Sequence, residues 1–509
     1  MSNRKIIVHG VEARERLAKG AETLAKIIQD TLGPFGANVF LEKGSRPTND
    51  GKKIAVEIQL NDEIENMGAK AIREPAIKVD ESVGDGTTTA VTLAWAIYQA
   101  ASRFLAKKGT FGQKTPSEVV RQIEKERQEV EAELKKLSTP IENEQDLINS
   151  AIVSVEDKEL GNLIGKMQWK LGKDGFLIAE ESNDRVSSIE RVDGIKIDNG
   201  FSGSSVHAIN NRETGRLELD DVPVVLTSYT INDFNSIEKF LNQFFSTGKR
   251  NIVIIARAWT EEAIRICQAN NDKGYHIFPM NAPYVNMQER FKDMVAITGA
   301  KFYDSENSNL SDLSTYDVGI LKRLRASRYD SILAGSSDVL TKDRIGKRVN
   351  ELKETLKGDE SEFMKKMTLE RISQLKNGFA IIKVGSPSDM ERKRLFDKCE
   401  DAVNAVRAAF QEGTVKGGGL AFKEISEGLP DDYILKKPLM SIYEQIMLSA
   451  PQGFVIEDWV RDPVKVMRIA LEKACAAASA LATAGGAIHS EWPKPLDELL
   501  RKNAPPGNN

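Results

Sequence analysis

The sequence predicts an α-helical protein with an inserted α/β segment, and two observations predict it. Apolar residues recur at helical spacing near both ends of the chain, whereas strand-like and helix-like runs alternate through the middle. Such alternation is typical of a parallel sheet covered by helices. We therefore expect the two helical ends to build one discontinuous domain, with the α/β middle inserted into it.

Length and composition describe a large globular protein. The 509 residues exceed one ordinary core and should divide into about three domains. With 40% hydrophobic and 29% charged residues and a net charge of −4, the chain has no overall attraction for nucleic acid or an anionic membrane. No apolar run approaches the ~18 residues that span a bilayer. The N-terminus does not resemble a signal peptide, and three widely separated cysteines without metal spacing fit a reduced, cytoplasmic protein.

The elements follow in order along the chain. A short strand over 6–8 leads into N-terminal helices, and Pro140 ends this part. In the middle, each strand-like run is followed by a helical run, and Pro223 is expected at the first position of its strand, where a missing N–H is tolerated. The predicted N-terminal helices are 11–32, 64–78, 87–107 and 116–137. The predicted middle strands are 224–226, 251–255 and 276–279, with helices over 234–245, 260–270 and 287–297. A helix pair over 342–375, a buried strand over 378–385 and helices from 387 to about 484 complete the chain.

The most informative motif is Val-Gly-Asp-Gly-Thr-Thr-Thr-Ala at 83–90. It places two glycines, one carboxylate and three hydroxyls at the start of a buried helix. The free N–H groups and the positive dipole of a helix N-terminus suit phosphate, and Gly84 and Gly86 allow a close backbone approach. Asp85 is placed to hold a hard cation such as Mg²⁺. A capped helix after an Asp-Gly turn is the simpler alternative, but three consecutive threonines favour phosphate.

Five further motifs have ordinary structural explanations when each is taken alone. Thr31-Leu32-Gly33-Pro34 would be a helix C-terminus with a proline stop, and Asp50-Gly51 a hairpin turn. Glu400-Asp401 would be a solvated acidic helix face. The glycines at 417–419 would be a turn that opens a helix, or another phosphate cradle, and Asp462-Pro463 would be an N-cap with proline at N1. The stretch 109–115 resembles a P-loop but does not qualify as one, because Gln113 separates the required glycine and lysine and no strand precedes it.

Taken together, these motifs resemble a group I chaperonin of the GroEL type. The order Thr-Leu-Gly-Pro, Asp-Gly, Gly-Asp-Gly-Thr-Thr-Thr, Glu-Asp-Ala, Gly-Gly-Gly and Asp-Pro matches from about residue 5 to about residue 485. The match is specific at the two ends and weak across the middle. The resemblance implies a three-domain subunit with a helical equatorial ATP-binding domain (1–136 and 412–509), an intermediate hinge domain (137–193 and 379–411) and an α/β apical polypeptide-binding domain (194–378).

The resemblance also implies ATP and Mg²⁺ as cofactors. Asp85 would hold Mg²⁺, and Asp50 would lie near the γ-phosphate and the attacking water. Asp401 would swing in to activate that water, so Asp50 and Asp401 are the expected catalytic residues. Because Asp401 and Asp85 belong to different predicted domains, hydrolysis would require domain closure. The other implied nucleotide-binding residues are Thr31, Leu32, Gly33, Pro34, Gly86, Thr87, Thr88, Thr89, Gly418 and Asp462.

The implied function is that of an ATP-dependent chaperonin. It would form a homo-oligomeric ring, heptameric in the family, bind unfolded or misfolded polypeptides and promote their folding, with a co-chaperonin lid as a further partner. Phe201, Leu241 and Ile264 stay apolar at positions that match the family's polypeptide-binding surface, whereas Glu238 and Gln268 do not. A mixed patch indicates more selective clients. Ordinary packing of helices onto the core is the alternative for Leu241 and Ile264. A Ser-rich insertion at 202–205 interrupts the same surface.

Asn377 replaces one glycine of the family's upper hinge pair, a change expected to stiffen the hinge. Two other departures favour a second hypothesis: Asn49 stands where the family has a lysine, and the stretch 446–461 is much shorter. These changes are compatible with a chaperonin-shaped scaffold that has lost productive cycling, which an ATPase assay would distinguish. A monomeric small-molecule kinase is a third reading, which the lack of an acceptor-substrate motif disfavours.

Overall fold

A computed structural model describes residues 5–42, 46–105, 114–173, 175–192, 194–202, 216–336, 338–358 and 361–490. The chain divides into two compact units. The first unit comprises Met1–Trp169, Glu181–Ser187 and Val384–Asn509, and the second comprises Lys170–Glu180 and Ser188–Lys383. The first is built largely of helices and the second holds the large sheet, so the predicted α fold with an α/β insertion is confirmed. The boundaries of three separate domains remain predictions.

Helices dominate the described part of the chain. Their bounds agree with the predicted ones to within a few residues for the long helices, and 116–137 is reproduced in full. The helices are α1 (Gly10–Gln29), α2 (Gly51–Glu57), α3 (Glu63–Val83), α4 (Thr87–Leu105), α5 (Pro116–Leu137), α6 (Glu144–Val155), α7 (Lys158–Leu171), α8 (Glu238–Ser246), α9 (Glu261–Asn271), α10 (Met287–Thr298), α11 (Val339–Gly358), α12 (Glu362–Asn377), α13 (Asp389–Glu412), α14 (Leu420–Gly428), α15 (Lys436–Ser449) and α16 (Val464–Ala482).

Short strands join the helices of the first unit, and longer ones form the sheets of the second. The strands are β1 (Lys5–His9), β2 (Val39–Leu41), β3 (Arg46–Thr48), β4 (Phe176–Glu181), β5 (Ser188–Val192), β6 (Ile195–Ile197), β7 (Leu217–Thr227), β8 (Thr230–Ile231), β9 (Asn251–Ala256), β10 (Ala258–Trp259), β11 (His276–Asn281), β12 (Phe302–Tyr303), β13 (Gly319–Ala326), β14 (Ser331–Ala334), β15 (Phe379–Val384), β16 (Thr414–Lys416), β17 (Arg461–Pro463) and β18 (Gly486–Ser490).

The core of the first unit is formed where α1, α3, α4 and α16 pack on one another. Leu17, Leu24 and Ile28 of α1 are buried at the helical spacing that the sequence predicts. Glycines let α1 and α3 approach closely: a Cβ on Gly20 would lie 1.7 Å from the Glu65 carbonyl oxygen, and one on Gly68 would lie 1.9 Å from that of Leu17. The same core fixes α4, whose N-terminus carries the threonine motif.

The large sheet of the second unit has the order β11-β9-β7-β13-β14-β6. β11, β9 and β7 are parallel, as predicted, whereas β13, β14 and β6 add antiparallel strands that the sequence analysis did not foresee. The expectation for Pro223 was wrong, because β7 runs from Leu217 to Thr227 and the proline lies in its interior. Pro223 pairs with Ile320 of β13, while β9 pairs with β7 only from Val224 onward. On the side of β7 that faces β9, Pro223 therefore lies just before the paired residues, where a missing backbone N–H is tolerated.

A buried ion cluster joins three helices of the second unit. Asp293 on α10 is fully buried and accepts hydrogen bonds from Arg348 of α11 at 2.9 Å and from Arg371 of α12 at 2.7 Å. Both arginines also contact Glu289. These bonds satisfy a carboxylate that burial alone would disfavour. No helix within the described ranges is both long and apolar enough to cross a membrane.

Candidate active site

A cavity of about 600 Å³ lies within the first unit. Its walls come from segments far apart in the sequence, and they include every residue predicted to bind nucleotide or to act in hydrolysis. Its volume suits a small-molecule ligand. These predicted residues are Thr31, Leu32, Gly33, Pro34, Asp50, Asp85, Gly86, Thr87, Thr88, Thr89, Asp401, Gly418 and Asp462. The fold thus brings them together, while their individual roles remain predictions.

The loop between α3 and α4 forms one wall. Gly84 and Gly86 have φ of 67° and 83°, in the left-handed region that favours glycine. The Gly86 N–H donates to the Asp85 carboxylate at 2.6 Å, and the Gly86 carbonyl accepts the first helical bond, from Ala90, at 3.0 Å. The N–H groups at the start of α4 therefore have no acceptor within the helix, which is the arrangement that binds anions.

Asp50 does not lie in a hairpin turn, so that alternative was wrong. It is the N-cap of α2, and its carboxylate accepts from the backbone N–H groups of Lys52 at 2.9 Å and Lys53 at 3.2 Å. A Cβ on Gly51 would lie 2.6 Å from Thr88 Oγ1 and 3.0 Å from Thr88 N. The glycine therefore lets the N-termini of α2 and α4 meet, which puts Asp50 beside the threonine motif.

The turn that follows α1 forms a second wall. Thr31 donates its hydroxyl proton to the Ile28 carbonyl at 2.7 Å, and Gly33 has φ of 77°. Phe35, just after the predicted Thr-Leu-Gly-Pro turn, packs edge-on against Phe454, with ring centroids 4.9 Å apart. Phe454 belongs to the shortened stretch 446–461, so this stretch still contributes an apolar side to the cavity.

Asp462 and the glycine turn at 417–419 interact directly, which differs from both sequence expectations. Asp462 lies in β17 rather than capping α16, whose N-cap is Pro463. The Gly418 N–H donates to the Asp462 carboxylate at 3.0 Å. One amide of the potential phosphate cradle is therefore directed at a carboxylate of the chain itself. Burial, and then the negative charge of Asp85, raise the pKa of Asp462 to about 7.

Burial and neighbouring negative charge raise the pKa of several carboxyl groups of the cavity. Burial raises the pKa of Asp85 to about 6, against the effects of the Gly86 N–H and the Lys398 ammonium. Burial, followed by the charges of Asp85 and Asp50, raises the pKa of Asp401 well above its ordinary value. Carboxylates this close resist ionising together. A cation entering the cavity would therefore be attracted to these carboxyl groups and would favour their ionised forms.

The donor set of the cavity suits a cation that also binds phosphate. Within the described ranges, no group of three or more His, Cys, Asp or Glu side chains is arranged to hold a metal. An ion bound at Asp85 would need other oxygens, from phosphate or water. Mg²⁺ commonly binds in this way, through one or two carboxylates together with substrate phosphates.

Several residues of α13 line the cavity but were not predicted from the sequence. Arg394, Asp397, Lys398 and Ala405 line the cavity with Asp401. They lie at positions i, i+3, i+4, i+7 and i+11, so they share one face of the helix. That spacing could have been read from the sequence once Asp401 had been singled out.

Two of the predicted polypeptide-binding residues are not available on the surface of the second unit. Phe201 and Leu241 are each only 6% exposed and pack into hydrophobic clusters. The prediction of an apolar surface was therefore wrong for them, and core packing explains Leu241. Ile264 is partly exposed and remains a candidate. Strongly exposed apolar side chains of this unit include Tyr284, Val285, Tyr316, Tyr329, Val339, Leu340 and Phe363.

Two stretches singled out in the sequence lie mostly outside the described residues. Residues 203–215 include most of the Ser-rich insertion, and residues 106–113 include most of the P-loop-like stretch.

Comparisons with known proteins agree with this site and fold. Residues 24–432 match the TCP-1/cpn60 chaperonin family. The chain is 33% identical over 450 residues to the chaperonin GroEL of Acholeplasma laidlawii, covering 87% of this chain and 82% of that protein. It is 30% identical over 538 residues to the chaperonin GroEL of Aster yellows witches'-broom phytoplasma, covering 96% and 97%.

A solved structure supports the fold. The crystal structure of the chaperonin gp146 from a bacteriophage of Pseudomonas aeruginosa, determined in the presence of ATP-BeFx, aligns with a TM-score of 0.68. The alignment covers 96% of this chain and 99% of that one at 22% identity. The helical, discontinuous first unit and the inserted α/β unit are the chaperonin-subunit architecture. The chain belongs to the TCP-1/cpn60 chaperonin family.

Proposed function

We propose that this protein is an ATP-dependent chaperonin that assembles into a ring-shaped cage, binds non-native polypeptides and promotes their folding through ATP-driven domain movements. The observation that carries the proposal is the convergence of the phosphate-binding loop, the Asp50 turn, the Asp401 helix and Asp462 on one cavity. We further propose a heptameric ring, a cytoplasmic location and a co-chaperonin lid, which the family membership supports.

The proposed roles follow from the geometry of the cavity. The N–H groups and hydroxyls at the start of α4 bind the phosphates, and the turn at 31–34 encloses the nucleotide. Asp85 is the proposed Mg²⁺ ligand, and Mg²⁺ when bound would neutralise charge on the phosphates. Asp50, fixed by its two backbone hydrogen bonds, orients the attacking water.

Asp401 is the proposed proton acceptor. Phosphoryl transfer to water needs an aligned nucleophile and a carboxylate that can take its proton. Burial and the neighbouring Asp85 and Asp50 raise the pKa of Asp401, which makes its carboxylate a stronger base than an exposed one. The residue lies on α13, outside the threonine loop, so movement of that helix would control hydrolysis.

The test is ATP hydrolysis by the assembled protein with and without Asp401. Asp401→Ala should lower kcat by roughly 100-fold or more and leave ATP binding largely intact. Glu400→Gln is the matched control, because this exposed neighbour on the same helix does not line the cavity. Equal hydrolysis by Asp401→Ala and the unmodified protein would refute the assigned role. Electron micrographs with and without ATP, together with refolding of a denatured client, test the ring and the chaperone activity.

A second candidate function is a chaperonin-shaped scaffold that binds nucleotide without productive turnover. Asn49 favours it, because this neutral side chain lines the cavity where the family has a lysine. In that case nucleotide would bind, but neither the unmodified protein nor Asp401→Ala would hydrolyse it at a measurable rate.

A further inference from the structure

Two cations on the cavity-facing side of α13 already pair with carboxylates. Arg394 lies 2.7 Å from Glu391, and Lys398 lies 3.0 Å from Glu156.

The same side of α13 carries two carboxylates. Asp397 and Asp401 lie one helical turn apart and both line the cavity. The negative charges of Asp85, Asp50 and Asp397 all act on Asp401. Because like charges repel across a partly dehydrated cleft, this helix needs a counter-charge to stay close to the N-termini of α2 and α4.

Lys53 supplies a counter-charge at this position. Its ammonium lies 2.5 Å from Asp397 Oδ2 and 3.7 Å from Asp50 Oδ2. Lys53 is in the first turn of α2, which the close contact between Gly51 and Thr88 joins to the start of α4. The ion pair therefore connects α13 to the segment that carries Asp50 and abuts the threonine motif.

We propose that the Lys53–Asp397 ion pair is a latch that holds α13 so that Asp401 reaches the phosphate end of the cavity. The inference rests on the proposed role of Asp401, and it makes Lys53 and Asp397 positioning residues. Lys53 does not line the cavity, so its partner is the helix rather than a bound phosphate. The chain thus lacks the family's lysine at position 49 but carries a cation one helical turn further on, with a different task.

A neighbouring lysine provides a matched control. Lys52 is in the same turn of the same short helix and also forms an ion pair, but its partner is Asp80 of α3. Neutralising Lys52 removes a contact between α2 and α3 and leaves the Lys53–Asp397 contact with α13 in place. Lys52→Gln therefore reports what the loss of a lysine from this turn does by itself.

The experiment measures steady-state ATP hydrolysis by the full-length protein and its variants. Lys53→Gln and Asp397→Asn should each lower kcat roughly threefold to fivefold with little change in KM, which is the effect that a partly exposed ion pair supports. The double variant should be no slower than the slower single variant. Lys53→Arg should retain most of the activity, and Lys52→Gln should retain all of it. Added salt should reduce kcat of the unmodified protein more than that of Lys53→Gln.

The outcomes separate the latch from the proposed function. If the unmodified protein hydrolyses ATP and Lys53→Gln matches Lys52→Gln in kcat, the latch is refuted and the chaperonin function stands. Fully multiplicative losses in the double variant also refute it, because the two residues would then act independently. If the unmodified protein does not hydrolyse ATP, the role of Asp401 fails and the latch fails with it. Circular dichroism of each variant identifies any loss of fold.

Discussion

The substitution Asp462→Asn tests the electrostatics of the cavity most directly. The Asp462 carboxylate accepts a hydrogen bond from Gly418 N–H and lies near Asp85, and its pKa is about 7 because of burial and of that neighbouring charge. Asparagine keeps an oxygen that can accept from Gly418 N–H but never ionises. The variant therefore removes the charge and preserves the main contact.

The size of the effect follows from the pKa. The ordinary value is 3.8 and the folded value about 7, a difference of 3.2. At 1.36 kcal/mol per pKa unit, the upper limit is about 4 kcal/mol. Between pH ~4 and ~7 the folded state binds a proton that the unfolded state has lost, so this carboxyl lowers the free energy of unfolding as pH rises. Above pH ~7 its contribution is constant. Since Asp462 is half-buried, solvent reduces this limit, and we expect Asp462→Asn to be more stable by about 2 kcal/mol at pH 8.

The assay is thermal unfolding at several pH values from 5 to 9. The unmodified protein should lose more stability between pH 5 and pH 7 than Asp462→Asn does, and the two curves should run parallel above pH 7. Asp389→Asn, which changes a highly exposed carboxyl on α13, controls for the loss of one negative charge. Parallel curves over the whole range would refute the raised pKa and the argument built on it.

Three further predictions test other parts of the structure. Gly51→Ala places a Cβ 2.6 Å from Thr88 Oγ1 and should destabilise the protein by about 1–3 kcal/mol and raise KM for ATP, measured by thermal unfolding and ATPase assays. Gly428→Ala, whose Cβ meets no described atom within 4 Å, is its control. Arg371→Met leaves Asp293 buried without one of its partners and should cost about 3–5 kcal/mol, visible in chemical unfolding. Binding of Mg²⁺ and ATP should release more protons at pH 6.5 than at pH 8.5, measured by calorimetry in buffers of different ionisation heat.

Most of the cavity residues could be predicted because the motifs that carry them lie at the ends of helices and strands. Such positions combine free backbone N–H groups with glycine conformations, and both leave a clear pattern. The start of α4 is the best example, since Gly84, Gly86 and the first helical residue, Thr87, all have the conformations that the motif implies. Asp401, in the interior of α13, was predicted only from the family resemblance, and its neighbours on the cavity side were missed because that helix face contains no glycine or proline.

Local context explains the predictions that were wrong. Asp50-Gly51 is a strong hairpin signal, but here the dipeptide follows β3 and starts α2, and only tertiary packing against α4 reveals this. Phe201 and Leu241 are apolar whether they face a client or the core, so residue type alone could not distinguish the two. The antiparallel half of the large sheet depends on long-range pairings, as between β13 and β7, that leave little local signal.

The arrangement of the carboxyl groups gives a physical reason for nucleotide to control the position of α13. Close to α4, Asp401 is buried and lies under the negative charges of Asp85 and Asp50, and both effects raise its pKa and disfavour its ionised form in that position. A ligand can shift a conformational equilibrium only by interacting differently with its two states. A divalent cation on Asp85 would do so, because it converts the field at Asp401 from repulsive to attractive. The Lys53–Asp397 ion pair acts on the same helix from outside the cavity, so it favours this position of α13 with and without nucleotide, which is why its loss should lower kcat more than it changes KM.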